Sequence, residues 1–147
     1  MKKYKLIKDK ESGLQRVVAL ISIPFYGINK GDHGGLIEKE ENLSHESNAW
    51  VFGDARVSGN ARVYGDARVS GNARVSGNAW DKSPLYIQGS LYALTNCKYG
   101  YVRIGCEEHS FKEWEKDGKK IAAKHSFTKE QIAEYAEYIK LFKKVGK

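Results

Sequence analysis

Nothing in this chain of 147 residues supplies an obvious external constraint on folding. Two cysteines, Cys97 and Cys106, are too few for a disulfide framework. Met1-Lys2-Lys3 is followed by Lys5, Lys8, Asp9 and Lys10, which leave no apolar stretch for a secretory leader. No run approaches the roughly 18–20 apolar residues of a membrane span. A cytoplasmic chain without a membrane partner is therefore expected. Blocks of like charge are absent too. The net charge of +7 is spread as +1 over residues 1–50, +2 over 51–80, 0 over 81–110 and +4 over 111–147. That balance suits an anionic partner such as nucleic acid, nucleotide or an acidic protein, and it also suits plain solubility.

What is present is a repeat. Residues 51–80 read VFGDAR, VSGNAR, VYGDAR, VSGNAR, VSGNAW, five hexads of the form V-x-G-[D/N]-A-[R/W]. In each, A-x-V makes a three-residue strand with Ala and Val on one face and Arg on the other. The Gly-Asp or Gly-Asn pair that follows accepts a turn with φ > 0 cheaply. A strand broken by a turn in every hexad cannot lie in a flat sheet. Three hexads closed into one coil satisfy the pattern: Ala and Val point inward, Arg and the residue after Val point outward. Each strand then pairs in parallel with the strand three hexads on, about 4.8 Å along the axis. Stepping by six in both directions extends the register over residues 33–104, twelve hexads or four coils. Gly35, Ile37, Asn42 and Leu43 fall in it upstream, and Ile87, Gly89, Ala93, Asn96 and Cys97 downstream. The expected inward columns are Val51/Val69/Ile87, Val57/Val75/Ala93 and His45/Val63/Asp81/Tyr99.

These letters resemble the hexapeptide-repeat left-handed β-helix superfamily, and are most similar to GNARV/GDARV proteins frequent in phages and prophages. The left hand and triangular cross-section come with the resemblance; the ordinary rule for parallel crossovers favours the right hand. Ile104-Gly105-Cys106, His109, Ser110 and Trp114 resemble the I-G-C-x-x-H-[S/T]-x3-W module that follows the coils in those proteins. The resemblance implies a homotrimer with parallel axes.

The flanks read differently. Residues 3–8 and 14–23 are strand-like around the turn DKESG, giving a β-hairpin cap over 1–32 that covers the first coil. From Ser110 the period becomes helical. Ser110-x-x-Glu113 and Thr128-x-x-Gln131 are capping boxes. Gly118 is expected to end or kink the first helix, and Ile132, Tyr135, Ala136, Ile139 and Phe142 share one face of the second. The expected organisation is cap 1–32, β-helix 33–104 and helical segment 105–147, a mainly β fold.

Each candidate chemistry has a weaker and a stronger reading. Acyl transfer, common on such coils, needs a positioned His base and an inserted loop; His33 and His45 match no such arrangement. The zinc site of γ-type carbonic anhydrases needs three spaced His, and His33, His45, His109 and His125 do not supply them. Cys97, Cys106 and His109 are read as structural, without a fourth ligand for a metal. Neither catalytic residues nor a cofactor is expected. The outward columns are the informative part: Arg56 with Arg74, Trp50 with Arg68, Arg62 with Trp80, and the neighbouring Phe52 and Tyr64. Arginine interleaved with aromatics can hold phosphates and stack on bases. It equally suits a trimer interface, or surface cladding in which Arg pairs with Asp54 and Asp66. The reading is a non-enzymatic phage-type binding protein. It would bind a host protein, nucleotide or nucleic acid in the host cytoplasm, in the manner of an anti-CRISPR or other counter-defence inhibitor. The alternatives are a self-assembling protein like bactofilins or phage fibres, and an acyltransferase-like enzyme.

Overall fold

Four of the five visible hexads fold alike. The amide of the repeat Ala donates to the carbonyl of the residue after Val, closing each corner: Ala55 to Phe52 at 3.1 Å, and Ala61 to Ser58, Ala67 to Tyr64 and Ala73 to Ser70 at 3.2 Å each. The Gly between them has φ of 55° to 64° at Gly53, Gly59, Gly65 and Gly71. A side chain at Gly59 would also lie 2.6 Å from the Ser76 carbonyl of the next corner, so stacking and backbone conformation demand glycine together.

The computed structural model describes residues 1–147 and divides them into two compact units, Met1–Pro84 and Leu85–Lys147. The first unit carries strands β1 (Tyr4–Lys8), β2 (Gln15–Ala19) and β3 (His33–Ile37). Six two-residue strands follow: β4 (Trp50–Val51), β5 (Arg56–Val57), β6 (Arg62–Val63), β7 (Arg68–Val69), β8 (Arg74–Val75) and β9 (Ala79–Trp80). Successive strands visit three ladders in turn. β3, β5 and β8 run parallel on one, β4 and β7 on the second, and β6 and β9 on the third, where Leu43 also bridges Val63. Trp50 pairs with Arg68 and Arg56 with Arg74, each three hexads apart, as the repeat requires. This is a β-solenoid. Its interior is Val51, Ala55, Val57, Ala61, Val63, Ala67, Val69, Ala73 and Val75, all buried.

The solenoid is shorter than the hexad count suggests. Upstream, Ile37 pairs with Val57 and Leu43 with Val63, so both stand in the Val column, not the Ala column. His45 leaves the interior and stacks on Tyr4 at 4.0 Å. Downstream, the last hexad slips. Asn78, at φ 66°, takes the left-handed corner that Gly takes elsewhere, and Arg62 pairs with Ala79, not Trp80. A one-residue slip exchanges the two faces of a strand. Ala79 therefore turns outward, and Trp80 is buried beside Val63.

Beyond residue 84 the register ends. β10 (Tyr86–Gln88), β11 (Ala93–Lys98), β12 (Tyr101–Ile104) and β13 (Glu107–Ser110) form an antiparallel meander. Ile87 faces Leu94 across the next turn, not Val69, and Ala93 pairs with Gln88, not a coil strand. The 33–104 coil segment is thus corrected to a solenoid ending at Trp80. The β-hairpin is present but acts sideways: β2 pairs antiparallel with β3, so the hairpin extends one solenoid face at its edge strand.

The meander leads into α1 (Phe111–Lys124) and α2 (Lys129–Val145), each opened by its expected capping box. α1 continues past Gly118 to Lys124, so the helix does not end at that glycine. The core of this unit is Leu94, Val102, Ile104, Trp114, Tyr135, Ile139 and Phe142. The Trp114 indole donates to the Val102 carbonyl at 2.8 Å, tying α1 to the sheet. No helix is long and apolar enough to cross a membrane.

Candidate functional site

The outward columns separate into residues that remain on the surface and residues that do not. Trp50 is 1 % exposed; Tyr4 meets it edge-on at 6.3 Å and the Gly34 backbone lies against its ring. Trp80 is 2 % exposed and its indole donates to the Gly77 carbonyl at 2.7 Å. Neither tryptophan offers a ring to a partner. The aromatics that do are Phe52 and Tyr64, both half-buried.

Phe52 is the centre of a built cluster. The Arg68 guanidinium lies 4.4 Å from its ring centroid and 5.8 Å from that of Tyr26. Tyr26 meets Phe52 edge-on at 5.5 Å and Phe25 at 4.9 Å, and its hydroxyl donates to the Asp66 carbonyl. Burial, and the Asp66 charge beside it, push the Tyr26 hydroxyl above its ordinary range. A second, looser pair is Arg62 over Tyr64 at 5.8 Å. Phe25 and Tyr26 escaped the sequence reading. The signal was there in Pro24-Phe25-Tyr26-Gly27, two aromatics set between a proline and a glycine in a turn.

Arg56 and Arg74 stand directly opposite one another across β5 and β8. Arg16 comes near the same face from β2, its guanidinium donating to the carbonyls of Gly34 at 2.9 Å and Gly53 at 2.8 Å. Asp9, in the β1–β2 turn, is held below the usual carboxylate range, first by hydrogen bonds from Ser12 and then by Arg16 and Arg56. Asp54 and Asp66 form no ion pair with Arg56, Arg62 or Arg68. Asp54 faces Arg16 at 3.9 Å, and Asp66 accepts from Asn48 at 2.8 Å. Arg56, Arg62 and Arg68 form no ion pair. An arginine laid on an aromatic ring keeps its edge N–H groups directed outward, and those donors match phosphate and carboxylate oxygens in pairs.

Elsewhere several titratable groups are held by structural contacts. Lys3 is buried, with its ammonium donating to the carbonyls of Ala49 at 2.7 Å and of Glu46 and Ser47 at 3.4 Å; burial brings it down to about 8. His45 accepts from the Lys3 amide and bonds Glu40 at 2.7 Å, so its two nitrogens are spent. Cys97 is fully buried and its thiol is pushed up to about 12. Cys106 is exposed, and His109 bonds Glu107 at 2.8 Å. The structure does not gather Cys97, Cys106 and His109 into a site; no group of three His, Cys, Asp or Glu side chains is placed to hold a metal ion.

Residues 55–69 and 67–82 match the family described as the YdcK beta solenoid repeat. The matched span lies on β5 to β9 and on the arginines in question, and it supports a β-solenoid repeat for this part of the chain. Neither a curated protein nor a solved structure matches the chain.

Proposed function

We propose that the protein is a non-enzymatic binding protein whose solenoid presents arginine–aromatic pairs to an anionic partner. The observation that carries this is Arg68, seated over Phe52 and Tyr26 and forming no ion pair of its own. Arg62 over Tyr64 is a second arginine–aromatic pair. Stacked rings beside guanidinium groups suit a nucleotide or single-stranded nucleic acid, since bases stack and phosphates pair. A host protein with an acidic surface is the other partner class the same charges serve. Three ladders visited in turn support a triangular coil, which we read as left-handed by its likeness to hexapeptide repeats. On the same likeness we assign a homotrimer with parallel axes, and sequestration of the partner in a host cytoplasm as a counter-defence measure.

The test is titration of the protein with a labelled single-stranded oligonucleotide and with nucleotides over a range of salt. Arg68→Ala should weaken binding, and should lower the slope of log K against log salt by roughly 0.7 if one phosphate contact is lost. Arg68→Lys should keep the slope and still weaken binding, because the ammonium does not reproduce the planar stack. Native mass spectrometry of protein purified from its host reports the oligomer and any bound partner. Absence of both anion binding and a co-purifying partner, with Arg56→Ala and Arg74→Ala silent, would remove the proposal.

A further inference from the structure

The second unit holds a cavity of about 560 Å³ between α1, α2 and the β12–β13 turn. That is the size of pocket that buries a drug-sized molecule. Its walls are mostly apolar. Ile104, Trp114, Tyr135 and Ile139 form the inner part, while Ile121, Phe127 and Ile132 line it only half-buried. Those three side chains keep apolar surface that an apolar occupant would cover.

The wall on α1 is cut back where there is no packing reason for it. Gly118 lies in the middle of the helix, with no left-handed φ, and a side chain there would meet only Trp114 at 3.9 Å. Glycine at such a place weakens a helix. What it does is leave the cavity open on that side, with Ala122 on the next turn and Ala136 on α2 also lining it.

The charges at the cavity are unequal. Glu107, half-buried in the lining, is already matched by His125 at 3.1 Å, His109 at 2.8 Å and Lys124 at 3.8 Å. Glu115 is held by Lys143 at 2.7 Å and Lys140 by Glu137 at 3.1 Å. Lys116 and Lys119 line the cavity, and neither has an ion-pair partner. The charge left over at the mouth is positive.

From the open cavity, its half-buried apolar walls and these two unmatched ammonium groups, we infer that the second unit binds a small organic anion with a single apolar tail. The tail lies along Ile121, Trp114 and Tyr135, and the carboxylate head meets Lys116 and Lys119. This site does not depend on the arginine face.

Isothermal titration of the full chain with dodecanoate and dodecyltrimethylammonium below their micelle concentrations, and with dodecanol below its solubility limit, tests the inference. Fluorescence reports through Trp114. Dodecanoate should bind one per chain and tighter than either of the others. The double variant Lys116→Gln/Lys119→Gln should weaken dodecanoate roughly fivefold and leave dodecanol unchanged. Gly118→Leu should fill the cavity and weaken every tail by roughly tenfold or more with the circular dichroism spectrum intact. If Gly118→Leu does not fold, Ala136→Leu fills the same space from the other helix. No dodecanoate binding, equal binding of the cationic ligand, or unchanged binding in the filled variants overturns the inference while leaving the arginine-face proposal untouched.

Discussion

Val57 in the first unit has its ladder partner three hexads on, at Val75, on a parallel strand. Ile87 in the second has its partner nearby in the chain, at Leu94, across an antiparallel turn. The two units use similar letters, β-branched residues with Gly, Ala and Asn, and solve different problems with them. The solenoid buries small side chains and depends on uninterrupted backbone ladders and left-handed corners. The second unit buries large rings, Trp114, Tyr135 and Phe142, against a meander. Stability in the first is distributed over many thin contacts; in the second it is concentrated in a few side chains.

That contrast can be broken or sharpened by substitution. The largest effect is expected for Phe142→Ala, which should cost about 3–5 kcal/mol in the second unit through lost burial and an unfilled cavity. A melt followed by near-ultraviolet and far-ultraviolet signals should then show a low transition for this unit while the solenoid transition stays in place. A single shifted transition would show that the two units do not unfold independently. Next is Gly59→Ala, expected to cost about 2 kcal/mol or more, because the left-handed corner penalises a Cβ and the Ser76 carbonyl occupies its space. Denaturant unfolding followed at the solenoid tryptophans measures it, and a neutral result would mean the corners are not the constraint described.

The pH response comes third. Lys3 is held at about 8 in the folded chain, below the ordinary 10.5. Above about pH 8 the unfolded chain therefore binds more protons than the folded one, so stability rises with pH. Below pH 8 the burial cost of the ammonium is fully present. The gain from pH 8 to pH 9 should be about 1 kcal/mol. Lys3→Met should flatten that rise when the two proteins are compared by urea unfolding over the same range; an unchanged slope assigns the rise to another group. The smallest effect has the opposite sign to Gly59→Ala. Gly118→Ala has room and an ordinary helical φ, and should stabilise α1 by about 0.5–1 kcal/mol. The same substitution would then destabilise one unit and stabilise the other.

The legible part of the fold was the part in which one residue type does one job. Each repeat Val of β4 to β8 is inward, and each repeat Gly from Gly53 to Gly71 is a left-handed corner. Gly89 shows why the hexad register misleads in the second unit. It sits in that register, but its φ is not left-handed, and a side chain there would collide with the Tyr135 hydroxyl. That hydroxyl accepts from the amides of Leu91 and Tyr92 and donates to the Tyr92 carbonyl, so the backbone must come close to it. Glycine is there for approach, not for a corner, and the sequence letter is the same. Trp80 failed for a different reason. Asn reaches the left-handed region at lower cost than most residues, and Asn78 uses that freedom one position late. A strand has period two, so one position is enough to invert it. Of the surface cluster, the repeat supplied Arg68 and Phe52, whereas Phe25 and Tyr26 come from a turn ahead of β3, outside any period.

A coil built on an unvarying repeat carries no information about when to stop. The slip at Asn78 supplies it. The last rung of the third ladder places an indole where the rungs before it place Leu43 and Val63, and its ladder is out of phase with the three-hexad repeat by a single position. A further valine-lined coil, from this chain or another, would meet neither the shape nor the phase it needs there. The end of the solenoid is thus marked by a corner that falls on Asn78, one position after the glycine that turns each earlier one.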